Sequence, residues 1–216
     1  MKNDEPVKSP KTVTTAKAGV MNCLNFLVSG LRQNDEKRQI PTFYEAVNND
    51  NIRIGECEEG DMREIIAIER DSFPFPWSEN LFRGEMTNPI ARMLVGRIER
   101  LPGKPVAGYV VYWRVADEMH LHNIAVRKDQ RRKKVAFLLL CEAIRASKSE
   151  GARWVTLEVR RTNLPAQNLY EKFGFSVKGV RPGYYPDTGE DALIFWADLD
   201  RIMPEGGHPS EPANKE

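Results

Sequence analysis

Four cations in succession, Arg131, Arg132, Lys133 and Lys134, stand between a strand-like apolar run at 121–126 and a second apolar run at 135–140. The pattern predicts a helix over 134–149 with a basic opening. A helix N-terminus exposes N–H groups and carries partial positive charge, so it favours Asp and Glu in its first turn. A basic opening sets like charge against like charge, and local conflicts of this kind mark functional sites. A bound polyanion, held by backbone N–H groups and flanking basic side chains, removes the conflict. The expected ligand at this strand–helix corner therefore bears phosphate. Spacing alone leaves two other readings open, a solvated helix face and a nucleic-acid patch. The formal net charge is only +1, so the basic run is local. There is no basic surface excess with interleaved aromatics to support nucleic-acid binding.

Other residue types capable of chemistry carry weaker signals. Glu158 shares one strand face with Thr156 and Arg160, where an exposed carboxylate paired with an arginine is the plain reading. Tyr170 falls on the helical stripe Ala166, Leu169, Tyr170, Phe173 and reads as a core aromatic. Asn163 is placed to cap the helix that follows it. Tyr184 and Tyr185 precede Pro186 at a turn, where aromatics commonly pack across a strand pair. His120 and His122 alternate on one strand face, but no third ligand accompanies them, so no metal is expected. Ser-His-Asp chemistry has no anchoring motif.

The elements that must position these residues alternate along the chain. Strands are expected at 52–57, 93–98, 106–115, 118–126, 154–160, 175–180 and 192–197. Helices are expected at 61–70, 79–86, 134–149 and 165–173. Ser78 is a helix N-cap, and Gly151 and Gly174 are C-terminal stops. Residues 73–77, Phe-Pro-Phe-Pro-Trp, form a rigid aromatic loop, and 184–189 are turn chemistry. The order implies an α/β domain over 51–200 with a mixed sheet: antiparallel hairpins first, then a strand–helix–strand crossover. Residues 1–50 read as an extension, polar and disordered at first, with one short amphipathic helix through Val20, Leu24, Leu27, Val28 and Leu31. Residues 201–216 read as a loose tail. A hydrophobic fraction of 41% suffices for a core, and 29% charged residues favour solubility. Cys23, Cys57 and Cys141 lie far apart, without metal or disulfide spacing, and read as reduced thiols in the cytoplasm. The apolar stretch 20–28 is interrupted by Asn22 and Asn25, and falls short of a signal peptide or a membrane span.

Several of these segments together resemble a known family. Asn123-Ile124-Ala125-Val126 followed by Arg131-x-x-Lys134-x-Ala136 is similar to motif A of the GCN5-related N-acetyltransferase (GNAT) superfamily. Leu157-Glu158-Val159-Arg160, Asn163 to Gln167 and Leu169-Tyr170-Glu171-Lys172-Phe173-Gly174-Phe175 resemble the ribosomal-protein-alanine N-acetyltransferases, the RimI type. So do Phe75-Pro76-Trp77-Ser78, and Tyr184-Tyr185-Pro186 leading to Gly189-Glu190-Asp191-Ala192. The likeness covers about 50–198. It implies a GNAT fold: a mixed sheet of about six or seven strands, flanked by helices and splayed between the fourth and fifth. The family also has a bulge near Val126.

The resemblance further implies acetyl-CoA as co-substrate, no metal, and a protein N-terminus as acceptor, the alanine of a small-subunit ribosomal protein. Neither a membrane nor a nucleic acid is an expected partner. By residue, it places the pyrophosphate on Arg131, Arg132, Lys133, Lys134, Val135, Ala136 and Phe137. It places the pantetheine arm on the backbone of Ile124, Ala125 and Val126, with Asn163 also touching the coenzyme. Glu158 becomes the general base and Tyr170 the general acid, and Phe75, Trp77, Tyr184 and Tyr185 line the acceptor groove. Alternative acceptors are lysine side chains or small amines, and the alternative to catalysis is an acyl-CoA-binding or protein-interaction module. One departure stands out. The family usually has glycine where this chain has Lys134. A helical φ there is negative, so a lysine with an outward side chain is expected to fit.

Overall fold

The computed structural model describes residues 51–203; the expectations for 1–50 and for the tail beyond Met203 lie outside the described residues. In chain order the elements are β1 Ile52–Glu56, α1 Met62–Ser72, α2 Glu79–Thr87, β2 Ala91–Ile98, β3 Val106–Val115 and β4 Glu118–Val126. Then come α3 Val135–Ser149, β5 Trp154–Arg160, α4 Leu164–Lys172, β6 Ser176–Tyr185, β7 Glu190–Asp198 and the one-turn α5 Leu199–Ile202. One seven-stranded sheet runs β1-β2-β3-β4-β5-β7-β6. Only β4 and β5 are parallel, joined by the α3 crossover.

Helices cover both faces of the sheet. Tyr109 of β3 bonds Glu69 of α1, whereas Tyr112, three residues on, meets Ser147 of α3. Strand side chains alternate, so α1 and α3 lie on opposite sides. This double cover is why residues 106–112 of β3 are all buried. The expected caps are present: Ser78 Oγ accepts the Leu81 N–H at 3.3 Å, and Gly151 and Gly174 sit at φ +91° and +86°. The final strand pair is longer than its apolar pattern. Tyr184 and Tyr185 belong to β6 itself, and the turn narrows to 186–189.

Two details at the sheet centre set up a cleft. Pairing between β4 and β5 runs from Glu118↔Trp154 to Leu121↔Leu157 and stops there. Beyond it, among the described residues, β4 continues against β3 alone and β5 against β7 alone. The β3–β4 register jumps from Val111↔Asn123 to Tyr112↔Leu121, so His122 is an extra residue, a bulge. It lies four positions before Val126, where the family resemblance had led us to expect it. An added residue bends its strand, and this one bends β4 where its bonds to β5 end.

The basic run also differs from expectation. The helix starts at Val135, and the four cations precede it in a turn. Lys134 is the N-cap residue at φ 62°, ψ 13°, and Arg132 is at φ 65°. Both are left-handed conformations, which a Cβ disfavours. Lys134 therefore does not have the negative φ expected of it. Its backbone takes the shape that glycine adopts without strain.

Candidate active site

The β4–α3 corner is built from backbone. Arg132 and Lys134 at positive φ flank Lys133 at negative φ. Alternation of this kind curls successive N–H groups into a concave nest that suits anions. At the start of α3 the Leu138 N–H bonds the Lys134 carbonyl at 3.0 Å, so the first-turn N–H groups of Val135, Ala136 and Phe137 point toward the helix end. The side chains of these three are buried in the core, and the Phe137 ring packs tilted against Phe173 at 5.0 Å. What this segment offers a ligand is therefore main chain.

The corner's cations divide their work. Arg131 turns inward: its Nε donates to the Val126 carbonyl at 3.1 Å and its Nη2 to Ser72 Oγ at 3.0 Å. It ties the turn to the ends of β4 and α1. Lys133 Nζ reaches Gln130 Oε1 at 3.3 Å. Arg132, Lys133 and Lys134 are exposed. Asp129, the carboxylate of this turn, is engaged by Arg127 at 2.7 Å and held at a pKa of about 2 by that bond.

Strand β4 presents backbone to the open seam. The Arg127 N–H donates to the Ala107 carbonyl at 2.8 Å, so Arg127 faces β3. Backbone direction alternates, which turns Ala125 and Asn123 toward β3 as well. The N–H and C=O groups of Ile124 and Val126 then point toward the gap left by β5. Gly108 permits the close approach of β3 here: a Cβ on it would lie 2.6 Å from the Ala125 carbonyl oxygen. Asn163 caps α4, with Oδ1 accepting the Ala166 N–H at 3.2 Å. Its Nδ2 is buried with no partner among the described residues.

Across the seam, Glu158 is the first β5 residue beyond the last β4–β5 pair. Its side chain is 13% exposed, and its Oε1 lies 3.2 Å from Nε of Arg181, which is 47% exposed. The charge of Glu158 also reaches Tyr184 and Tyr185; Tyr184 is the more exposed to it. Burial pushes its phenol well above the usual tyrosine range, and the charge of Glu158 adds to the shift. The Tyr184 hydroxyl is buried and has no hydrogen-bond partner among the described residues. Its ring stands edge-on to Tyr185 at 5.2 Å. The structure thus brings Glu158, Tyr184 and Arg181 together.

The remaining expected residues are placed differently. Tyr170 is fully buried, its ring 5.3 Å from Phe175 and 5.9 Å from Phe195. Trp77 is 6% exposed and packs on Phe82 at 5.3 Å, whereas Phe75 is 63% exposed. His120 pairs with Glu118 at 2.8 Å, and the His122 ring packs tilted against Trp113 at 4.3 Å. Among the described residues no group of three His, Cys, Asp or Glu is placed to hold a metal ion, and no helix is long and apolar enough to cross a membrane.

The roles of two charged groups were not legible in the sequence. Glu69 is a fully buried carboxylate on α1 that accepts the Trp77 N–H at 2.7 Å, the Asn123 Nδ2 at 3.2 Å and the Tyr109 hydroxyl. Burial raises its pKa against the opposing effect of those three donors. Its sign in the sequence was a charge in the apolar helical stripe of Ile65 and Ile66. The other is Arg160, whose contacts are developed below.

Comparison with known proteins agrees with this geometry. A family model described as Acetyltransferase (GNAT) family matches residues 62–175. A Bacillus subtilis (strain 168) protein, provisionally named a ribosomal protein bS18 alanine N-acetyltransferase, is 40% identical over 140 residues, 64% of this chain and 90% of that protein. The Escherichia coli (strain K12) enzyme of that name is 36% identical over 143 residues, 65% of this chain and 93% of its own. A crystal structure of the E. coli ribosomal-protein-S18-alanine N-acetyltransferase superposes with a TM-score of 0.62 at 32% identity, covering 68% of this chain and 94% of the other. The opened seam, the anion nest and these likenesses together place the chain in the GNAT acetyltransferase family.

Proposed function

We propose that this protein transfers the acetyl group of acetyl-CoA to the N-terminal amine of another protein, the alanine of a small-subunit ribosomal protein. The observation that carries the reading is the seam. β4 and β5 part beyond Leu121 and Leu157, leaving backbone donors on one wall and Glu158 on the other. The acceptor assignment is supported by relatives of that name that match over nine-tenths of their length.

Acetyl-CoA supplies an activated thioester. The nest at 131–137 would hold its pyrophosphate, with Arg132, Lys133 and Lys134 contributing charge. Ile124 and Val126 would pair with the pantetheine arm as an added strand does. The unpartnered Nδ2 of Asn163 is a further donor in search of an acceptor. An α-ammonium, with an ordinary pKa of about 7.7 to 8.0, must lose a proton before it attacks. Glu158 takes that proton, directly or through a water. The Val126 N–H stabilises the charge that develops on the carbonyl oxygen. Tyr170 delivers a proton to the departing thiolate. Tyr184 and Tyr185, with Phe75 and Trp77 opposite, would bound the acceptor. Direct transfer requires no covalent enzyme intermediate. Cys141, buried in α3 with a pKa pushed well up by burial, is unsuited to form one.

The test is mass spectrometry of protein N-termini in cells with and without this protein, paired with turnover of Ala-, Ser- and Met-initiated peptides. Loss of acetylation at one ribosomal alanine, with preference for the Ala peptide, is expected. A preference for lysine side chains or small amines would move the acceptor class, and acetyl-CoA binding without turnover would favour the binding module. Glu158→Gln should lower kcat by about a hundredfold or more, the range for a lost general base; retained activity would remove the assignment.

A further inference from the structure

The segment that carries Tyr184 is not held by its own ladder. Arg181 pairs with Ala192 and Tyr185 with Glu190, so residues 182–184 of β6 face Asp191 alone. Gly183 within this loop-out sits at φ +59°. A strand that leaves its register gives its side chains no fixed direction. Yet Tyr184 is turned inward, beside Glu158.

The missing constraint comes from β5. The Arg160 guanidinium is nearly buried and grips the β6–β7 turn with both terminal nitrogens. Nη2 bonds both oxygens of Asp187 at 2.9 and 2.7 Å, and Nη1 bonds Thr188 Oγ1 at 2.9 Å. Glu190 Oε2 lies 3.4 Å from Nη1. The guanidinium carbon stands 3.8 Å over the Tyr185 ring. Neighbouring Arg161 pairs with Asp191 at 3.2 Å, and Asp191 in turn accepts the Gly183 N–H at 3.0 Å. The main chain of Arg160 works in the other direction. Its carbonyl accepts the Asn163 N–H at 3.0 Å and Gln167 Nε2 at 3.1 Å, fixing the start of α4. Glu190 Oε1 closes the circuit by accepting the Thr162 N–H at 2.6 Å.

We infer that Arg160 is a positioning residue for the acceptor: its side chain replaces the broken β6–β7 ladder and sets Tyr184 against the groove, while its backbone alone serves the coenzyme side. This rests on the acetyl-transfer reading above. The planar guanidinium is essential because its two terminal nitrogens hold separate partners at once, Nη2 on Asp187 and Nη1 on Thr188 and Glu190, and a single ammonium cannot keep both directions.

The side chain and the backbone can therefore be separated by substitution. Arg160→Lys and Asp187→Asn, in the full chain, should each raise the KM for an Ala-initiated peptide about tenfold or more. kcat at saturation and the Kd for acetyl-CoA by calorimetry should change by less than about threefold. The double variant should be no worse than Arg160→Lys alone, since the contact that Asp187→Asn removes is already broken in it. Thermal unfolding identifies any variant that fails to fold; the two single substitutions break the contact from opposite ends, so either one that folds carries the test. An unchanged peptide KM in a folded variant, or equal losses for peptide and coenzyme, overturns the positioning role alone. Absence of turnover by the wild-type protein overturns the acetyl-transfer reading and this inference together.

Discussion

Replacing Lys134 by glycine should stabilise the protein. Lys134 stands at φ 62°, ψ 13°, directly before α3. A left-handed conformation costs a residue with a Cβ roughly 1–2 kcal/mol, and glycine escapes this cost. Glycine also loosens the unfolded chain, which returns roughly 0.4–1 kcal/mol of the gain. The net is roughly 0.5–1 kcal/mol, or roughly 1–4 °C in Tm for a domain of this size. The assay is thermal and urea unfolding of the coenzyme-free protein, with Lys134→Ala alongside. Alanine removes the ammonium but keeps the Cβ, so it should give no gain. If alanine stabilises as much as glycine, relief of repulsion within 131–134 is the cause and the backbone reasoning fails. If glycine gives nothing, it fails as well. Acetyl-CoA affinity should fall by less than about fivefold in both variants, since one exposed charge contributes at most about 1 kcal/mol, and the difference should fade at high salt.

Gly108→Ala should destabilise by about 1–3 kcal/mol, because its Cβ meets the Ala125 carbonyl oxygen at 2.6 Å and the Val126 Cα at 3.2 Å, both backbone atoms; equilibrium unfolding measures it, and a neutral outcome would mean β3 and β4 separate more easily than their register implies. Two carboxylates should give opposite pH dependences. The bonds from Arg160 hold Asp187 below its ordinary 3.8, so its contribution is present above that value and is lost as pH falls through the lowered one; Asp187→Asn should weaken acid unfolding below about pH 4. Glu69 is raised above its ordinary 4.5, chiefly by burial, so its contribution is full below 4.5 and is lost as pH rises through the raised value; Glu69→Gln should flatten that alkaline-side loss in urea titrations across pH. Tyr170→Phe should slow turnover without abolishing it and leave the fold intact, since its ring packs on Phe175 and Phe195; unchanged kcat would remove its role as acid.

The one-dimensional pattern determined the α/β order, the strands 106–115, 118–126 and 154–160, and the caps at Ser78, Gly151 and Gly174. These rest on local periodicity and on backbone preferences written into single residue types. The motifs also brought the Val126 corner and Glu158 into view. Tertiary structure decided the rest. That the four cations lie in a turn before α3, with Arg132 and Lys134 left-handed, and not in its first turn, goes with Arg131 being pulled back onto Val126 and Ser72. That β4 leaves β5 depends on a single added residue, His122. That Glu69 meets Tyr109 and Asn123, and that Arg160 governs a hairpin near residue 187, are contacts across 27 residues or more. Periodicity reports which way a side chain faces along its own element. It carries no information about which distant residues stand opposite, and here those residues determine what each charge does.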